Sequence, residues 1–208
     1  MSQAYQLVAF DMDGVLVDMI SSWHHIHECL GTDNTDTAEA YRNGHIDSQE
    51  FMNRDLALWH PQHTRQDIAS LFRHIDYMPG IHETMQQLST AGITTAIVSG
   101  GLDMLAERIA DDVGINHVLA NGISPDMQHG ILRVPPKKKD GALQDLARRL
   151  SIPMQRIVAV GNSKYDVAMF QVSGLGIAFN PCDKEVIQAA DVTIKEKDLT
   201  HILEYILG

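Results

Sequence analysis

Leu7-Val8-Ala9-Phe10-Asp11-Met12-Asp13-Gly14-Val15 is the stretch on which the reading of this chain turns. Four apolar residues ending on two acids and a glycine describe a short strand buried on both faces, with its polar residues at the C-terminal tip. Similar runs recur at Thr94 to Val98, Val118 to Ala120, Ile157 to Val160 and Gly176 to Phe179. Most of the segments between them carry helical spacing. Strands alternating with helices predict an α/β fold with a doubly wound, Rossmann-like parallel sheet.

Residues 15 to 78 break the alternation with helix-period patterns and no convincing strand. They predict a small all-helical insertion, a cap on a core made of residues 1–14 and 79–208. Within it, Ile68, Leu71, Phe72 and Ile75 fall at i, i+3, i+4 and i+7. Asp47 with Glu50, and Thr64 with Asp67, stand where helix N-terminal caps belong, and His60-Pro61 separates two helices. Trp23, Phe51, Trp59 and Phe72 read as the insertion's own apolar core. A second excursion, residues 121–134, carries Ser124-Pro125-Asp126 and Gly130 and predicts a minor β-hairpin within the core.

Composition narrows the function classes. With 208 residues, 44% of them hydrophobic and 21% charged, the chain is long enough for one sizeable core and ordinary for a globular protein. A net charge of -11 argues against nucleic-acid wrapping, which needs a basic face. No stretch approaches the ~20 apolar residues of a membrane helix and no signal-like run opens the sequence, so a soluble, cytoplasmic protein is expected. Cys29 and Cys182 lie far apart, outside any CxxC pair, and read as buried thiols in a reducing compartment.

The chemistry gathers at strand tips. Carboxylates at i and i+2 leave an extended strand on the same side, so Asp11 and Asp13 can share one divalent cation and face one phosphate. Asp11 suits a carboxylate nucleophile, and Asp13 a general acid that then serves as base. In Ile97-Val98-Ser99-Gly100-Gly101, the Ser99 hydroxyl and the N–H groups around Gly100 can cradle phosphate oxygens. Lys137-Lys138-Lys139 offers a neutralising cation, and only one of the three can point inward. Lys139, which opens the amphipathic series Leu143, Leu146, Ala147, Leu150, is the choice, with Lys138 second.

Asp11-x-Asp13-Gly14-Val15 after an apolar strand resembles the first motif of the haloacid dehalogenase superfamily. Ser99 and Lys139 follow in that family's order, and Gly161-Asn162-Ser163-Lys164-Tyr165-Asp166 resembles its Gly-Asp-Ser-x-x-Asp motif. The resemblance implies magnesium-dependent hydrolysis of a small phosphorylated metabolite, a phosphomonoester, through an aspartyl-phosphate on Asp11. Mg2+ would be held by Asp11, Asp13 through its backbone carbonyl, residue 162 and Asp166. One residue departs: Asn162 stands where an aspartate is usual, so a full negative charge is missing beside a hard cation and weaker magnesium binding is expected.

Length, cap and hairpin resemble the phosphoserine phosphatase group most closely. That group places an acid shortly after the first motif and an arginine on a later cap helix. Here the acid's position falls on Ile20 and the arginine's near Asp55, with Arg54 beside it. Phosphoserine is therefore one candidate substrate. A haloalkanoic dehalogenase would need no second acid, which Asp13 argues against. A phosphomutase, or a phosphate-binding regulatory protein attenuated by Asn162, stays open. His24 and His27 lie one turn apart, but magnesium-type chemistry uses oxygen ligands and no second metal site is expected. His82-Glu83-Thr84-Met85-Gln86 lacks the second histidine of HExxH, and no Walker-type loop occurs.

Overall fold

Strand β1 (Leu7–Phe10) has all four of its side chains buried, in a computed structural model that describes residues 5–208. Four helices follow it: α1 (Ser22–Leu30), α2 (Thr35–Arg42), α3 (Ser48–Trp59) and α4 (Arg65–Leu71). The chain then alternates through α5 (Ile81–Thr90), β2 (Thr94–Leu102), α6 (Asp103–Val113), β3 (His117–Ile123), β4 (Gly130–Ile131), α7 (Lys139–Leu150) and β5 (Ile157–Gly161). It ends with α8 (Val167–Val172), β6 (Leu175–Phe179), α9 (Lys184–Ala189), β7 (Val192–Ile194) and α10 (Leu203–Leu207).

The strands form one seven-stranded sheet in the order β4-β3-β2-β1-β5-β6-β7. Every pairing is parallel except β3 with β4, which is the antiparallel hairpin. Side-chain alternation along β1 sends Val8 and Phe10 into one apolar cluster and Leu7 and Ala9 into the other. Helix α7 supplies Leu143, Leu146 and Ala147 to the second cluster, while α5 and α6 supply Met85, Leu88, Leu105 and Ile109 to the first. Burial on both faces is why β1 reads as an unbroken apolar run.

Register places the chemistry. Phe10 pairs with Ile97 on one side and Val160 on the other, and the Asp11 N–H donates to the Val160 carbonyl at 2.9 Å. Residues one or two places past those pairs, Asp11, Ser99 and Asn162, therefore lie together at the carboxyl ends of neighbouring central strands. The strand order changes direction at β1, and the carboxyl ends beside such a point are where open α/β sheets hold ligands.

The helical stretch packs as part of the larger apolar cluster through Trp23, Ile26, Met52, Leu56, Trp59, Ile68 and Phe72. Its helix starts follow the sequence: Asp47 accepts from the Glu50 N–H, and Thr64 with Asp67 forms a reciprocal capping box. Polar ties dock it on the core. Gln49 donates to the Gly130 carbonyl at 2.9 Å, and the Gly130 N–H returns a bond to Asn53 at 3.0 Å. A Cβ at Gly130 would lie 2.6 Å from Met52 Cβ, so glycine lets α3 settle closely on the hairpin.

Three expectations need correction. Helix α4 stops at Leu71 rather than running on through Ile75; Phe72 and Ile75 still pack inward from the turn that follows. Strand β2 does not end before its glycines but continues to Leu102 through a register shift after Val98. Cys29 and Cys182 are exposed, not buried. Among the described residues no helix is long and apolar enough to cross a membrane.

Candidate active site

Asp11 lies one residue beyond β1 and is buried. Its Oδ1 accepts from the Met12 N–H at 2.7 Å and stands 2.8 Å from Lys139 Nζ. Lys139 is the first residue of α7 and only 2% exposed. Its ammonium meets Asp166 Oδ1 on the other side at 2.7 Å. Burial works against that charge, but Asp11 and Asp166 outweigh it and raise Lys139 above its ordinary value. A cation held this way neutralises Asp11 and faces any phosphate brought against it. Lys137 and Lys138 belong to the short turn before α7; Lys137 caps the Tyr41 ring at 5.3 Å, away from the acids.

Asp13 is set by the start of the first helix. Ser22 gives its carboxylate both a backbone N–H and a hydroxyl, each at 3.0 Å to Oδ2. The other oxygen, Oδ1, is buried with no hydrogen-bond partner among the described residues. Burial raises the pKa of this carboxyl above its usual range, against the two Ser22 bonds and the field of Lys139. Such a group holds its proton longer than a surface aspartate, as a general acid must.

Gly14 turns the chain away at φ +77°, and a Cβ there would lie 2.0 Å from Asn162 Nδ2. The first motif and the 162 loop thus touch across a gap only glycine leaves. Ser99 is buried, and its hydroxyl accepts from the Gly101 N–H at 3.1 Å. The Gly100 carbonyl is turned outward and held by Asn121 Nδ2 at 3.0 Å and Trp23 Nε1 at 3.3 Å. Asn121 also takes the N–H groups of Arg133 and Val134 at 2.8 Å each, so one amide splices the end of β2 to the hairpin.

Asp166 occupies a different place from the one the motif suggests. It is wholly buried; Oδ1 binds Lys139, and Oδ2 accepts from the N–H groups of Asn162 and Ser163 at 3.0 Å each. Burial and then Asp11 push it up to about 6. It supports the lysine and shapes the loop, while Asn162 itself faces the cavity.

These groups line one cavity of about 520 Å3 between the strand tips and the helical insertion. Asp11, Asp13, Ser99, Gly100, Lys139 and Asn162 all reach it. Among the described residues no three histidine, cysteine, aspartate or glutamate side chains cluster as a metal site. The Asp11 carboxylate, the Asp13 backbone carbonyl and the Asn162 amide oxygen still make an all-oxygen donor set that fits a hard cation, with one charge fewer than an aspartate at 162 would give.

The profile of the haloacid dehalogenase-like hydrolases matches residues 8–171. The chain belongs to that family. A phosphoserine phosphatase of Idiomarina loihiensis is 33% identical over 98% of this chain and 94% of its own length. One from Methanocaldococcus jannaschii is 26% identical over 99% of this chain and all of its own. A solved structure described as a substrate-bound phosphoserine phosphatase complex superposes with TM-score 0.84 at 24% identity, covering 99% of this chain and 100% of that one, a likeness of fold.

Within this family member the insertion's polar residues depart from what the sequence suggested. Asp55 is fully buried and lies outside the cavity lining; His27 Nε2 approaches it at 3.2 Å, and Asn34 donates to both its oxygens at 3.3 Å. Trp59 donates its indole N–H to His27 Nδ1, so this histidine belongs to the insertion's interior. His24 is exposed beside Glu28. Arg54 pairs with Glu50 at 2.5 Å and does not reach the cavity. Arg42, which no sequence signal marked, lines the cavity from the end of α2. Trp23 and Phe51 also line it, whereas Trp59 and Phe72 stay in the core behind.

Proposed function

We propose that this hydrolase cleaves a small phosphomonoester with the help of Mg2+, in the manner of the phosphoserine phosphatases it resembles, and that Asp11 carries the phosphoryl group between the two half-reactions. The observation that carries the reading is Lys139, buried and clamped between Asp11 and Asp166, facing Ser99 and Asp13 across one cavity.

The free Asp11 oxygen attacks phosphorus, and the bond to the ester oxygen breaks. Asp13 gives its proton to the departing alkoxide. Asp13, now ionised, takes a proton from the incoming water, whose oxygen attacks the phosphorus of phospho-Asp11; phosphate leaves and Asp11 is restored. Ser99 and Lys139 hold the spectator oxygens throughout, since phosphoryl transfer is mainly positioning and charge neutralisation. Asp11, the Asp13 backbone carbonyl and Asn162 would hold magnesium, which would supply positive charge beside the phosphate. Asp166 acts as a positioning residue through Lys139. Residues 15–78 serve as the cap that excludes water from the phosphoenzyme, and the cytoplasm is the expected compartment for a chain with two exposed, unpaired thiols.

Phosphate release from a panel of small esters that includes phosphoserine, measured against magnesium concentration, tests this. Turnover is expected for this chain and faster turnover for Asn162→Asp, with loss on the order of 10^4-fold or more in Asp11→Asn. Silence of both active forms toward every ester, or survival of activity in Asp11→Asn, defeats the reading.

A further inference from the structure

The alcohol half of the cavity has a chemistry of its own, and its reading rests on the phosphomonoesterase proposal above. Beyond Asp11 and Asp13 the lining holds no carboxylate among the described residues, so no acid there is placed to meet an ammonium. At the position where an acid was expected, Ile20 stands 89% exposed on the rim. The residue there is apolar and offers no charge to an incoming ammonium.

Inside the rim the wall is aromatic. Trp23 is stacked on Trp59 at 5.5 Å between ring centroids and meets Phe51 edge-on at 6.0 Å. Phe51 lies 5.0 Å from Tyr41 in turn. Trp23 is further pinned by its N–H to the Gly100 carbonyl, so the wall is rigid and fixed relative to the phosphate-facing loop. Met52 lines the same side. At the far end Arg42, next in sequence to Tyr41, reaches the cavity and has no ion-pair partner among the described residues.

We infer that the substrate's alcohol is a flat, apolar group with an anionic substituent, lying against Trp23, Phe51 and Tyr41 with its charge toward Arg42, and that phosphoserine is a poor substrate. Rigid aromatic faces favour planar groups, and an unopposed guanidinium favours a carboxylate or second phosphate over an amine.

The test compares 4-carboxybenzyl phosphate, benzyl phosphate and phosphoserine at saturating magnesium, in this chain and in Asn162→Asp. A benzyl alkoxide is no better a leaving group than that of serine, so a preference reports binding. The carboxybenzyl ester is expected to exceed phosphoserine at least about tenfold in kcat/KM. Arg42→Gln should lower the ratio of carboxybenzyl to benzyl ester by roughly fivefold, the most an exposed ion pair gives. Phe51→Ala should raise KM for the benzyl esters about tenfold relative to phosphoserine. Equal or better turnover of phosphoserine overturns the inference, as does a Phe51→Ala effect shared by all esters.

If no ester is cleaved, the hydrolase proposal fails separately, and calorimetry with two non-hydrolysable phosphonates decides the cavity. Tighter binding of 4-carboxybenzylphosphonate than of 2-amino-4-phosphonobutanoate supports it; the reverse order, or no difference, overturns it.

Discussion

Lys139 Nζ stands 2.8 Å from Asp11 Oδ1 in surroundings that leave the lysine 2% exposed and the aspartate 6%. With Asp166 closing the other flank at 2.7 Å, the arrangement is a triad of two acids around one cation, short by one positive charge. In the proposed function a divalent cation would make up that deficit, and in its absence the lysine alone offsets the two buried acids.

Lys139→Met should destabilise the metal-free protein by about 3–5 kcal/mol at neutral pH, because it leaves two buried carboxylates facing each other. Urea unfolding measures it. The sign with pH is definite: Asp166, already pushed up to about 6 by burial and Asp11, gains a still higher value once the cation is gone. A carboxyl raised in the folded state disfavours folding when ionised, so its penalty is present at neutral pH and relieved as pH falls. The gap between variant and parent should therefore narrow between pH 7 and pH ~4.5. A gap that is constant or widens contradicts the triad.

Asn162→Asp should tighten magnesium binding by about 10- to 100-fold, as an added ligand charge does at a hard-cation site. Calorimetric titration of the resting protein gives the dissociation constant without relying on turnover. Equal constants for the two forms would remove residue 162 from the metal site.

Much of this site was legible because it sits on short-range patterns. Apolar runs marked strands β1, β2 and β5, and parallel pairing then had to bring Asp11, Ser99 and Asn162 to one end of the sheet. Lys139 stood out from its neighbours because it starts a helix whose apolar stripe faces the sheet. The missed features are long-range. Asp55 is buried because His27 and Asn34, 28 and 21 positions earlier, come to meet it, and no local pattern announces a polar pair inside a helical layer. Arg42 ends a helix with no buried residue, so nothing in its own stretch distinguished it from a solvated charge. Gly100 and Gly101 read as a turn because glycine usually interrupts strands; here they are small to admit Pro136 at one and Met12, Ser22 and Asp13 at the other.

Asn121→Ala should cost about 2–4 kcal/mol, since the buried amide it removes satisfies the Gly100 and Val134 carbonyls and the Arg133 and Val134 N–H groups. Beyond stability, a Gly100 carbonyl held only by Trp23 should loosen that end of the cavity. Inorganic phosphate should then bind more weakly in the folded variant. Undiminished phosphate affinity would show that Ser99 and Lys139 hold phosphate without the Asn121 brace.

Ser22→Ala tests the assignment of Asp13 as the proton donor. The Ser22 hydroxyl bonds the ionised carboxylate at 3.0 Å and so works to lower a value that burial raises. Removing it leaves burial less opposed, and Asp13 holds its proton to higher pH. Because kcat/KM reports the steps through the first phosphoryl transfer, where Asp13 must be protonated, the alkaline limb of its pH profile should move upward. The reverse demand applies to dephosphorylation, where Asp13 must be ionised, so the acidic limb of kcat should move the same way whenever that step limits turnover. Ser22→Thr keeps a hydroxyl and should return both limbs toward their original positions. A loss of rate in Ser22→Ala with both limbs unmoved would reduce Ser22 to packing and leave Asp13 without its proposed tuning.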